Sequence, residues 1–464
     1  MNFESDRVSV REKICYAMGD ASANIAWRGV AAFLFIVYTD VFGLNPAAVG
    51  TLMLVARLGD GISDVAMGVI ADRTNTRWGK YRPWMLWSAL PLGVMLSMLF
   101  TCPESLSLTG RLVYAYVTYI VFTLVYTAQG IPYGALLSVM SADDKERTSI
   151  GSYKMVGAFA GGMLVQGLLL VLKEYFDSYT IPIYILSAVL VVLMPITFFG
   201  TRERVEPPKD QRNDVLADLK QLMVNVPWIV LLVVSLLYNV YNSVKQGITI
   251  VYFTHYMNRE LLCATYMTAL MLASVAGAAI TSPLARRFGK RNLFVGALVA
   301  SGAVNSLLWF CGAADVTAIF ALGVVSELFA AIFPTLCFVM LGDVADYSEW
   351  RNGRRATGLI YSATSFAMKF GGGIAGLLIG VVLARYGYDG KVAASIPGAI
   401  PGIKMLMSWI PGVIAAATAV VMALYPITTS KMDQITADLL ARRNRELRQR
   451  QSCTMESTKC GSAK

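Results

Sequence analysis

The apolar residues of this chain fall into long blocks, with most polar and charged residues gathered in the short segments between them. A block of about 20 such residues forms a helix long enough to cross the hydrocarbon core of a bilayer. Twelve blocks reach that length, at 14–38, 47–70, 83–101, 111–140, 151–172, 180–199, 228–254, 262–285, 292–311, 316–341, 357–384 and 403–426. Between the sixth and seventh, Thr201 to Asn225 is polar and carries Pro207 and Pro208. The pattern predicts an all-α membrane protein with twelve transmembrane helices in two six-helix bundles, residues 1–200 and 226–427. A linker at 201–225 joins them, and a tail follows at 428–464.

The connecting segments set the orientation. Arg73, Arg77, Lys80 and Arg82 follow the second block, Lys145 and Arg147 the fourth, Arg286, Arg287, Lys290 and Arg291 the eighth, and Arg351, Arg354 and Arg355 the tenth. The central linker and the tail are basic as well, whereas the alternate segments are nearly free of Lys and Arg. Basic residues concentrate in cytoplasmic loops, so both termini are expected in the cytoplasm. The first block contains Asp20 and Arg28 and is followed by further spans, which sets it apart from a cleaved signal.

Composition narrows the class. Of 464 residues, 56% are hydrophobic and 15% charged, against about 25% charged in soluble domains. The net charge of +10 resides in the loops, so it describes topology and not a nucleic-acid surface. Seven cysteines form no C-x-x-C pair, and the single histidine, His255, stands near a block end, so neither a redox pair nor a histidine metal site is expected. No GxxxxGK[ST] loop is present, which argues against ATP-driven transport by this chain, and no catalytic Ser/His/Asp set can be assembled.

The two halves repeat each other. Asp72-Arg-Thr-Asn-Thr-Arg-Trp-Gly-Lys80 after the second block has a basic counterpart in Arg286-Arg-Phe-Gly-Lys-Arg291 after the eighth. Lys154-Met-Val-Gly-Ala-Phe-Ala-Gly161 in the fifth block shares Lys-x-x-Gly-x-x-Ala-Gly with Lys369-Phe-Gly-Gly-Gly-Ile-Ala-Gly376 in the eleventh. Two related bundles with a midplane site between them is the major facilitator arrangement, and small residues after each lysine allow close helix packing.

Ionisable residues within the blocks carry the functional signal. Asp60 and Asp64 lie one helical turn apart on a shared face, with Arg57 one turn before Asp60. An ionised group at membrane depth costs at least roughly 2.5–3.5 kcal/mol on insertion scales and is kept where it pairs or works. The two carboxylates are a candidate site for a small cation. Alternatively, Arg57 and a distant lysine neutralise them as a structural clasp, and the same residues can serve both ends. Asp20, Asn24 and Arg28 share a face of the first helix; Lys154, Glu327 and Lys369 lie in the fifth, tenth and eleventh. The seventh has a polar face of Tyr238, Asn239, Tyr241, Asn242 and Lys245, with Gln246 beside it. Together these describe a polar cavity between the halves, in which Trp27, Tyr126, Tyr133 and Phe338 are candidate surfaces for the C–H face of a sugar.

Several stretches resemble one family. They are Tyr16-Ala-Met-Gly-Asp20-x-x-x-Asn24, Tyr38-Thr-Asp-Val-Phe-Gly43, Val55-Ala-Arg-Leu-Gly-Asp60-Gly-Ile-Ser-Asp64, Arg77-Trp-Gly-Lys-Tyr-Arg-Pro-Trp84, Ile131-Pro-Tyr-Gly134 and Gly342-Asp-Val-Ala-Asp-Tyr-Ser-Glu-Trp-Arg351. From about residue 8 to 430 the chain resembles the glycoside–pentoside–hexuronide:cation symporters, the melibiose-permease-like branch of the major facilitator superfamily. The resemblance implies cation binding at Asp60 and Asp64, as metal ligands only if the ion is sodium. It implies sugar contacts at Asn24, Lys154 and Phe338, with Lys369 matching a charged lysine of helix eleven. Two departures stand out: Asn24 and Gly130 replace acids of the neutral-galactoside pattern, while Arg28 and Lys245 add positive charge. That shift suits an anionic sugar, such as a uronide or sulfonated sugar. Glu327 then becomes a candidate proton carrier in place of sodium.

The expectation is a secondary transporter of the bacterial cytoplasmic membrane, without cofactor, coupled to H+ or Na+ and moving a glycoside or sugar acid by alternating access. Asp60, Asp64 and Glu327 would handle the cation, and Asp20, Asn24, Arg28, Tyr126, Lys154, Lys245, Phe338 and Lys369 the substrate. Charge pairs among the loops 72–82, 143–147 and 343–355 would hold one face shut. The rivals are an uncoupled facilitator or exporter on the same fold and, further off, a membrane-embedded enzyme.

Overall fold

A computed structural model describes residues 8–141, 144–204, 223–352, 357–439 and 441, and its regular structure is helical. The first half comprises α1 (Val10–Ile36), α2 (Pro46–Arg73), α3 (Arg82–Leu99), α4 (Leu108–Met140), α5 (Asp144–Phe176) and α6 (Thr180–Gly200). The second comprises α7 (Val226–Val251), α8 (Glu260–Phe288), α9 (Lys290–Ser306), α10 (Val316–Ala330), α11 (Ile332–Asn352), α12 (Thr357–Arg385), α13 (Ile396–Met407) and α14 (Trp409–Ala423). Ten of the described helical stretches are long and apolar enough to cross a membrane. The charged α2 and the short α3 fall outside that set and pack with α4 and α6 in the first half.

Local chemistry explains the ends of several helices. Ser9 caps α1 by accepting the Glu12 N–H at 3.2 Å, and Ser107 caps α4 by accepting that of Gly110 at 3.2 Å. Beyond Ile36 and Val251, one turn of wider π-helix carries α1 and α7 on to Val41 and Tyr256. Two spans expected to be continuous are broken. A proline ring clashes with the carbonyl four residues earlier, and α10 stops at Ala330, four before Pro334. By the same rule α13 stops at Met407, four before Pro411.

The small residues of the repeated motif act as the sequence suggests. A methyl group built on Gly157 or Gly161 would lie 2.1 or 2.2 Å from the carbonyl oxygen of Ala17 or Ala21, so α5 rests backbone to backbone on α1. In the second half Gly371 meets the carbonyl of Leu236 on α7 at 2.6 Å in the same way. Glycine also serves the α2–α3 turn. Gly79 has φ +111°, and Glu203 folds over it to accept the backbone N–H groups of Lys80, Tyr81 and Arg82 at 2.9, 2.8 and 2.9 Å. This carboxylate holds otherwise unsatisfied donors at the start of α3. Gly79→Ala should therefore cost about 1–3 kcal/mol through its backbone angle alone, read as a lower melting temperature in detergent.

The halves meet through α2 with α12, α5 with α8, and α1 with α7. Contact is closest at one end, where a methyl group on Gly380 would lie 2.2 Å from the Pro46 carbonyl oxygen. There Asp40 accepts from Tyr388 at 2.8 Å and meets His255 Nε2 at 2.7 Å. Nearby, Glu260 accepts from Lys173 at 2.6 Å and from Tyr179 at 2.5 Å. Burial and the Asp40 carboxylate push the Tyr388 phenol up, which keeps it a donor. At the opposite end the described loop pairs each lie within one half. Among the described residues, Lys13–Glu146 and Glu12–Arg204 lie within the first half and Lys290–Asp343 within the second. Of the loop charges proposed to pair there, the side chains of Asp72, Asp144 and Lys145 and residues Asp143, Arg354 and Arg355 lie outside the described residues, as do 205–222 of the expected linker and 442–464 of the tail. Residues 429–439 are helical and pack through Asp438, which accepts from Trp350 Nε1 at 2.8 Å.

Candidate functional site

A cavity of about 370 Å3 lies between the halves. The first half contributes Asn24, Trp27, Arg28 and Tyr126; the second contributes Asn239, Asn242, Gln246 and Lys369. The spacing of four between Asn24 and Arg28 on α1, and of three and then four along Asn239, Asn242 and Gln246 on α7, turns both polar faces toward this space. Trp27 and Tyr126 set their rings 5.6 Å apart at 34°, and the guanidinium of Arg57 lies 4.2 Å from the centre of the Trp27 ring.

The acid pair stands at the edge of this cavity with each carboxylate engaged. Asp60, 3% exposed, accepts from Arg57 Nη1 at 2.7 Å, while Arg57 Nη2 donates to Tyr119 at 3.1 Å. Asp64 accepts from Thr127 on α4 at 3.1 Å and from Lys369 of α12. The two clasps differ in kind. Asp60 is neutralised within its own helix, whereas Asp64 is neutralised by a lysine of the other half.

Lys245 and Glu327 form a third pair at 3.2 Å, deeper in the second half. Lys245 also donates to Tyr241 and Ser326, and the second carboxylate oxygen of Glu327 accepts from Ser274 at 2.8 Å. Arg28 is different. It makes no hydrogen bond or ion pair with any described residue, although its Nε is buried. Among the described residues lining the cavity it is the cation without an acidic partner.

Besides Lys245, three expected substrate residues are not part of the wall of the main cavity. Asp20 and Lys154 face each other at 3.9 Å, where Asp20 also accepts from Asn24 at 3.3 Å, so this pair braces Asn24 from behind. Phe338 is 54% exposed on α11, and its carbonyl accepts from Tyr361 at 2.9 Å. It is not among the residues lining the cavity. Tyr133 stacks on Tyr16 at 4.5 Å and exchanges hydroxyl-to-carbonyl bonds with it, so it is a packing residue here. Thr127, which donates to Asp64, and Tyr119, which accepts from Arg57, carry no periodic signal in the sequence.

Paired helical bundles, a central polar cavity and charged residues at membrane depth define a membrane transporter of the major facilitator type, not an enzyme. The family model for MFS/sugar transport proteins matches residues 15–429. The chain belongs to that family, in its glycoside–pentoside–hexuronide branch, as a multi-pass protein of the bacterial inner membrane. It is 34% identical over 447 residues to the inner membrane symporter YicJ of Escherichia coli (strain K12), covering 94% of this chain and 96% of that one. It is 32% identical over 440 residues to the isoprimeverose transporter of Lactiplantibacillus pentosus, covering 93% and 90%. Among solved structures, a bacterial homologue of the human lysosomal transporter Spinster, inward-facing and unoccupied, superposes with a TM-score of 0.69. It is 11% identical, with 90% of this chain and 98% of that one covered, a likeness of fold alone.

Proposed function

We propose that this chain is a twelve-helix symporter with both termini in the cytoplasm, which moves a glycoside or sugar acid with a cation, H+ or Na+, by alternating access. The observation that carries this reading is Asp64, held by Thr127 of its own half and Lys369 of the other. A cation arriving at Asp60 and Asp64 competes with Arg57 and Lys369 for the carboxylates. Lys369, released from Asp64, then turns to the cavity it already lines and is available to substrate. Cation binding and substrate binding thereby favour each other, as linkage requires.

The conformation agrees with such a cycle. By the distribution of basic loops, the end shut by Asp40, His255 and Tyr388 faces outward, so the cavity belongs to an inward-facing state. Names of relatives, a symporter and an isoprimeverose transporter, support coupled movement of sugars. An anionic substrate is favoured by Arg28, which makes no ion pair with a described residue at the cavity wall. Glu327, in a network that includes Lys245, is the candidate for proton coupling.

The test is binding of neutral and anionic sugars to the purified protein, with and without sodium and across pH. The reading expects an anionic sugar to bind best and its affinity to depend on one of the two ions. Preference for neutral galactosides would remove the anionic assignment. An uncoupled facilitator is the second reading, favoured by the fact that both acids already hold basic partners. Uptake that ignores both a protonophore and sodium removal would select it.

A further inference from the structure

Beside the main cavity lies a smaller chamber of about 70 Å3, lined from α1, α5, α7, α8 and α10. Arg28, Asn242 and Gln246 line both spaces, so the two share a wall of polar side chains. The chamber holds more hydrogen-bonding capacity than the protein uses. Gln166 is 6% exposed, and neither it nor Arg28, Asn242 or Gln246 makes a side-chain hydrogen bond to any described residue. Buried polar groups in folded proteins are nearly always satisfied, so the buried, unpartnered Nε of Arg28, with the buried side chain of Gln166 and two half-buried amides facing the same small space, points to a ligand.

The charges specify its kind. Lys245, 4% exposed, and Glu327 neutralise each other across the chamber. With Arg28 beside them, two cations face one acid, so the chamber carries one positive charge in excess. The volume suits a single substituent and not a sugar ring. We propose that this chamber is a subsite for the oxyanion of the transported sugar, a carboxylate or sulfonate. Arg28 receives it, Lys245 stands as the second cation, and the amides of Gln166, Asn242 and Gln246 donate to its oxygens. The ring itself occupies the main cavity against Tyr126. This deepens the sugar-transport reading and rests on it. It also gives binding a mechanical consequence. Arg28 and Gln166 belong to the first half, and Lys245, Asn242 and Gln246 to the second, so one oxyanion ties the halves together. Arginine is matched to this role by its planar fork of donors.

The test uses the full-length purified protein and two probes that differ only at C6, methyl β-D-glucuronide and methyl β-D-glucoside. Wild type should bind the glucuronide at least ten times more tightly. In Gln166→Leu, whose site touches the chamber and not the main cavity, the ratio of the two affinities should fall at least tenfold. Arg28→Gln should lower it further; where that variant does not fold, Gln166→Leu decides alone. Equal affinities in wild type, or an unchanged ratio in Gln166→Leu, would overturn the subsite while leaving sugar transport standing. Binding of neither probe would overturn both.

Discussion

Asp60→Asn should abolish concentrative uptake, lowering accumulation to that of protein-free vesicles, while exchange of substrate down its gradient persists within about tenfold. The reasoning begins with burial. Asp60 and Arg57 have side chains only 4% and 6% exposed, so they form a desolvated pair. Breaking such a pair on one side costs roughly 3–5 kcal/mol, because the remaining charge stays buried. Asp60→Asn alone should accordingly lower the melting temperature as well as coupling. Arg57→Gln combined with Asp60→Asn should restore much of the stability, since no orphan charge remains, and none of the coupling. Separating the two effects identifies the acid as a coupling group and not only a clasp. Normal accumulation in Asp60→Asn would remove it from the coupling site.

The second large effect concerns the shut end. Asp40→Asn should weaken the bonds to His255 and Tyr388, which join the π-helical end of α1 to that of α7 and to the loop after α12. Removing a charge-assisted contact of this kind costs about 1.5–3 kcal/mol, or roughly a tenfold to hundredfold shift between conformations. The shift is measurable with Ser243→Cys, a position on the cavity wall, in a background lacking the native cysteines. An impermeant maleimide added from outside should label it at least tenfold faster when Asp40→Asn is also present. Equal labelling rates would mean that the backbone contact of Gly380 with Pro46 keeps this end shut without the latch.

Much of the fold is legible because membrane burial imposes a coarse rule, long apolar blocks, that survives without knowledge of contacts. The basic loops and the Lys-x-x-Gly-x-x-Ala-Gly repeat add the division into halves. The breaks at Ala331 and Ser408 were written in Pro334 and Pro411, but a block read by hydropathy alone passes over them. Residues of the cavity wall are legible where charge or amide recurs at helical spacing, as at Asn24 and Arg28 or at Asn239, Asn242 and Gln246. Thr127 was not, since a threonine in a helix can satisfy its hydroxyl on its own backbone and shows its partner only in three dimensions. Gln166 is the intermediate case: a glutamine inside the apolar block of α5 is visible in the sequence, but the chamber that gives it meaning is not. Asp20 and Lys154 pair with each other beside the main cavity wall, and spacing along a single helix cannot say which residue of a face ends at that wall.

The central claim is that sugar and cation move together, with Asp64 exchanging Lys369 for the ion. It is tested most directly by following a radiolabelled sugar into proteoliposomes under an imposed inward proton or sodium gradient. The account predicts accumulation of chemically unchanged sugar above the external concentration, driven by one of the two gradients and lost in Asp64→Asn. Entry that stops at equal concentrations under both gradients would contradict it.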